Sequence, residues 1–245
     1  MKKIILSLVV LSLMSLSASA ADKVNTSTFF DVSVDHFYHN AIEFLVGRGI
    51  VVGNPDGSFE PDEVLNRAEA LTMVSKASYI YNDLDQAVFD DYEDDNCFYD
   101  VVSDSWYTKY VCYAFTEGWV VGYSDGYFSP GNTLNFVEAL KILYKAFDFY
   151  YKEDENIWYK SVVDDASFYN YIPVTISAFD QPITRAEMSD MIARIINYNE
   201  GDLDDYLGEF EEIVVIFDTI FNNIDLLKLL ESGEEFICMN NGISY

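Results

Sequence analysis

A loop written twice in fixed register commits this chain to a repeat architecture. GNPDGSFEP at 53–61 returns as GYSDGYFSP at 122–130, a shift of sixty-nine residues. The same shift places Phe30-Asp31-Val32 on Tyr99-Asp100-Val101 and Phe37-Tyr38 on Trp106-Tyr107. It also places Leu65-Asn66 on Leu134-Asn135 and Glu69-Ala70 on Glu138-Ala139, with no gap anywhere. Self-similarity at such a period marks stacked supersecondary units, each of which buries its apolar face against its neighbours.

Each copy reads as helix, loop, helix. Tyr38, Ala41, Ile42 and Leu45 follow the helical period, and Arg48-Gly49 supplies a stop. Pro55, Asp56 and Gly57 are turn chemistry: a preset dihedral, a residue that suits the next position, and one that tolerates a positive φ. A second helix is predicted over 66–79, with Leu71, Val74 and Ser78 on one side. Asn66 with Glu69 three residues later makes a capping box, and Asn135 with Glu138 repeats it. Thr184 with Glu187 is a third such start, flanked by Ile183 and Met188 as a hydrophobic staple. The repeated loop does not precede it, but Trp158-Tyr159 and Pro182 do. The organisation expected is therefore units at 28–82, 97–150 and 156–199, the third degenerate, with an acidic linker at 83–96. The fold class expected is all-α.

The capping box leaves one residue type unexplained. Arg67 and Arg185 fall at the first helical position, where a cation opposes the helix macrodipole at a cost of roughly 0.3–1 kcal/mol. Two compensations are open. The guanidinium pairs with a neighbouring carboxylate such as Asp56, Asp62 or Asp180. Alternatively it joins free helix-start N–H groups in holding a carboxylate or phosphate. The second copy has Phe136 here, which keeps the cap and loses the cation.

Charge narrows the partners. The chain carries 14 Lys and Arg against 42 Asp and Glu, a net charge of −28. Nucleic acid is excluded as a partner, because its phosphates would be repelled. Lys2-Lys3, an apolar run and Ala18-Ser19-Ala20 read as a signal peptide over 1–20, so the protein is expected to be exported. Removal of Lys2 and Lys3 would take the charge from −28 to −30. Cys97 and Cys112 either pair after export or remain buried thiols, and Cys238 is left over. No metal or other cofactor is expected. His36 and His39 are the only histidines, there is no CxxC, and the acids of 83–95 lack the central Gly and closing Glu of an EF-hand. An acidic, amphipathic helical tail is expected over 202–235. Its apolar stripe through Ile213, Phe217, Ile220, Ile224, Leu227 and Leu230 packs on the repeats or on a partner chain.

The F-x-D-V start, the G-x-x-D-G-x-F-x-P loop and the T-R-A-E helix start together resemble the S-layer homology domain, over about 29–198. That family comprises exported modules that usually come in threes. The resemblance implies three helix-loop-helix units around a pseudo-threefold axis. It implies that the chain binds cell-wall polysaccharide non-covalently, often through an anionic substituent, and so anchors itself or a surface layer to the envelope. It nominates Arg67 and Arg185 for the negative group. Trp106 and Trp158 are candidates to pack on a sugar, with core packing the commoner use of such residues. Gly53 and Gly122 would let backbone approach it. Phe136 and the missing third loop leave one or two competent grooves. The rival reading is a structural surface-assembly protein whose repeats no longer bind sugar. A glycoside hydrolase is a remoter one, since carboxylate pairs abound but nothing marks one out. No catalytic residue is nominated.

Overall fold

The computed structural model describes residues 27–82, 84–152 and 157–207. The expected signal peptide, Cys238 and most of the expected tail lie outside them. Six helices form three units: α1 (His39–Gly47) with α2 (Arg67–Tyr81), α3 (Thr108–Thr116) with α4 (Phe136–Ala146), and α5 (Lys160–Phe168) with α6 (Arg185–Glu200). A short α7 (Leu203–Leu207) follows. Among the described residues the only extended pairing is three isolated bridges, so the architecture is mainly helical, as expected.

The local signals explain where the long helices begin. Asn66, Asn135 and Thr184 are N-caps, and in each the side chain accepts from the N3 backbone N–H while the N3 glutamate accepts from the cap N–H. The helices α1, α3 and α5 start differently. Tyr38, Tyr107 and Tyr159 stand at their N-caps without a side-chain cap bond, and each packs on the core instead.

The loop between helices is set by an aspartate from the start of each unit. The Asp31 carboxylate accepts from the N–H of Phe59 at 2.8 Å and of Glu60 at 2.7 Å. Asp100 does the same for Phe128 and Ser129, both at 2.7 Å. Glu60 and Ser129 consequently sit at φ +58°, a left-handed conformation that non-glycine residues rarely adopt. This is why the repeated pattern couples a distant Asp to Phe-x-Pro. Gly53 and Gly122 have a packing reason of their own. A Cβ there would come within 2.2 Å of the Phe29 ring and 2.3 Å of the Phe98 ring.

The three units close on one another through backbone. The Leu65 N–H donates to the Ile183 carbonyl (3.0 Å), Ile183 to Leu134 (3.0 Å), and Leu134 to Leu65 (3.2 Å). This ring of three bonds runs around the pseudo-threefold axis, and Leu65, Leu134 and Ile183 are buried on it.

The acidic segment is more than a solvated linker, which corrects the expectation. Gln86–Tyr92 forms a 3₁₀ turn, and its Phe89 is fully buried among Tyr79, Tyr110 and Tyr113. One apolar ring among many acids pins the segment. A Cys97–Cys112 disulfide ties its far end to α3, which settles the alternative left open by sequence. The bridged cysteines are 15 residues apart, and a loop of that size restricts the unfolded chain by about 3 kcal/mol. Replacing both cysteines with serine is expected to lower unfolding free energy by about that amount, as read by denaturant titration.

Candidate functional site

The start of each long helix is completed by the next unit. The N–H groups of Arg67 and Ala68 donate to Asn132 and Pro130, those of Phe136 and Val137 to Gln181 and Phe179, and those of Arg185 and Ala186 to Glu63 and Pro61. With the N3 group taken by the cap, these helix starts offer no free backbone donors to an anion. Both halves of the sequence reading of the arginines therefore need correction. No described carboxylate lies within ion-pairing distance of Arg67 or Arg185, whether Asp56, Asp62, Asp180 or another.

Each arginine instead crosses onto the loop of the following unit. Arg67 Nε donates to the Phe128 carbonyl (3.0 Å) and Nη2 to Val121 (3.5 Å). Its guanidinium lies 4.4 Å from the Phe128 ring centroid and 5.5 Å from that of Tyr123. Arg185 Nη2 donates to the Val52 carbonyl (2.8 Å), with the guanidinium 4.6 Å from the Phe59 ring. The Arg185 Nε is buried without a partner. Burial pushes the Arg185 guanidinium down from its usual value, and the more distant charges of Glu69, Glu60 and Asp31 oppose that shift. Ring faces and carbonyls orient a cation and recover part of its lost hydration, but they do not neutralise it.

Beside Arg67 lies a groove of about 250 Å³. Arg67, Lys141 and Lys145 line it together with Glu138, Val121 and Trp158. Lys141 Nζ stands 4.9 Å from the Trp158 ring centroid, and Lys145 Nζ donates to the Gly118 carbonyl at 2.9 Å. Three of only 14 cationic side chains in the whole sequence therefore converge on one concavity of a strongly acidic protein. Trp158 is 43% exposed and Trp106 58%. Both are surface residues rather than core, against the commoner use. In each pair the tyrosine packs inward and the tryptophan stands edge-on to it, at 5.3 Å for Trp106–Tyr107 and 5.4 Å for Trp158–Tyr159. Sequence reasoning missed Lys141 and Lys145. Their i, i+4 spacing on one face of α4, in a chain so poor in lysine, was the available signal.

The other two junctions differ. At the Arg185 junction the shift of sixty-nine residues places Thr72 and Lys76 where α4 has Lys141 and Lys145. Burial, and then the charge of Lys109, push the Lys76 amine down. At the third junction Phe136 is buried in place of the arginine, and α6 offers Asp190 and Arg194 at the lysine positions. Those two form a buried ion pair at 2.6 Å, and the Tyr206 hydroxyl of α7 donates to the second Asp190 oxygen. Arg194 also donates to the Asn170 carbonyl. Nearby, the Tyr38 hydroxyl meets Thr175, and both Thr175 and Gln181 donate to Glu187. The cation of this junction is consumed within the fold.

Comparison with known proteins finds similarity over part of the chain. Residues 29–71 and 98–140 match the S-layer homology domain. The third unit lies outside both matches, yet the backbone ring joins it to the other two. Among curated relatives, the Middle cell wall protein of Brevibacillus brevis is 27% identical over 175 residues, covering 71% of this chain and 16% of the relative. The S-layer protein sap of Bacillus anthracis is 32% identical over 121 residues, 49% of this chain and 14% of the relative. The Cellulosome-anchoring protein of Acetivibrio thermocellus is 24% identical over 136 residues, 56% of this chain and 29% of the relative. The chain thus spans less than a third of each of these relatives. By name they are surface, wall and anchoring proteins rather than enzymes. Among the described residues no group of three His, Cys, Asp or Glu is placed to hold a metal ion, and no helix is long and apolar enough to cross a membrane.

Proposed function

We propose that this chain is an exported cell-surface protein that binds cell-wall polysaccharide non-covalently and so anchors itself to the envelope. The observation that carries the proposal is the Arg67 groove. Three cations and a half-exposed tryptophan converge there, while the chain as a whole repels anions. An anionic substituent on the polysaccharide meets Arg67 and Lys141, and a sugar face packs on Trp158. The S-layer homology matches and the names of the relatives support the same class of partner. The role is binding rather than catalysis. The Arg185 junction is a second, weaker groove, and the Phe136 junction is structural.

The test is co-sedimentation with purified cell-wall sacculi that retain their polysaccharide, for wild type, Arg67→Ala, Arg185→Ala and the double variant. The larger loss is expected for Arg67→Ala. Absence of wild-type binding would sink the anchoring role and favour a structural surface protein. Binding unchanged in the double variant would remove the proposed site.

A further inference from the structure

The second unit's loop departs from the first at four positions, and two of these change its surface. The first has Asn54 and Ser58, which hydrogen-bond to each other at 3.0 Å, with Ser58 buried. The second has Tyr123 and Tyr127, which are 50% and 46% exposed. Tyr99, from the start of the same unit, is 80% exposed. It lies flat enough on the turn that a Cβ at Gly126 would come within 2.5 Å of its ring. Tyr99 and Tyr127 are 5.8 Å apart at 66°. Tyr123 is bonded to Tyr127 through backbone (2.7 Å) and stands 5.5 Å from the Arg67 guanidinium. An exposed aromatic shelf thus runs outward from the cationic groove, continuous with it through Arg67 and Val121. Contiguous exposed apolar surface of this kind marks a contact site.

We propose that this shelf is a second sugar subsite, which takes an uncharged residue of the polysaccharide whose anionic residue sits in the Arg67 groove. It rests on the binding role proposed above. The chemistry selects the occupant. Tyrosine rings present flat apolar faces to the C–H face of a pyranose, and their phenol groups exchange hydrogen bonds with sugar hydroxyls at the wet edge. An anion is disfavoured over the shelf, because Asp125 lies in the same turn, where it caps the Tyr127 N–H at 3.1 Å, and the chain's net charge is −28. The shelf therefore reads chain length while the groove reads charge.

The test uses polysaccharide released from sacculi and sized into single repeat units and longer chains, titrated calorimetrically against the full chain. Wild type is expected to bind the longer chains at least about tenfold more tightly than the single unit. Tyr99→Ala/Tyr127→Ala is expected to lose that preference, keep its single-unit affinity and unfold at the wild-type temperature. Tyr99→Phe/Tyr127→Phe retains most of the preference. A double alanine variant that keeps the full preference overturns the subsite. So does one that loses affinity for both sizes alike, or one that changes only the oligomeric state. Failure of wild type to bind either size overturns the anchoring role as well, so the two failures are distinguishable.

Discussion

Arg67→Ala is expected to weaken binding of wall polysaccharide by roughly a hundredfold, the loss that follows when a forked, charge-assisted contact of about 2–3 kcal/mol is truncated. Arg67→Lys retains the charge but not the planar fork or its stacking on Phe128, so an intermediate loss of about tenfold is expected. Stability should barely change. The side chain's own partners are two loop carbonyls, and its removal relieves a first-turn cation opposed to the helix macrodipole. Calorimetric titration alongside thermal unfolding separates the two effects. An affinity drop matched by a collapse of the unfolding transition would show that Arg67 holds the fold instead.

Asp100→Ala is expected to behave in the opposite way, lowering unfolding free energy by about 3–5 kcal/mol. The carboxylate satisfies two adjacent backbone N–H groups, one of them on the fully buried Phe128, and its removal orphans both. It also releases Ser129 from its left-handed conformation. Asp100→Asn, with one acceptor oxygen left, should lose about half as much. Phe128 carries the Arg67 guanidinium, so polysaccharide affinity should fall with stability in this variant. Denaturant titration with an unchanged midpoint for Asp100→Ala would refute this account of the loop.

The contrast between these two residues shows what a sequence of this kind reveals. Capping boxes, helix spans and the loop turn are local, so Asn66, Asn135 and Thr184 could be read directly, and the structure places helices after each. The Asp31 and Asp100 bonds span 28 and 29 residues, and their purpose appears only when the loop is folded back. The arginines were legible as anomalies. Their surroundings were not, because the acceptors are backbone carbonyls of the next unit, and a carbonyl has no signature in sequence. The same is true of the helix-start N–H groups, whose partners lie across a unit boundary. Adjacent aromatic residues such as Trp158-Tyr159 do not declare which one turns inward. Phe89 was hidden by the acids around it.

The ring through Leu65, Leu134 and Ile183 gives the unit that lacks the repeated loop the role of keystone. A chain cut before that unit would leave the N–H groups of Leu65, Phe136 and Val137 without the acceptors that Ile183, Gln181 and Phe179 supply. Closure of the ring therefore takes all three units. The unit that lacks the repeated loop still closes the ring on which the other two units meet.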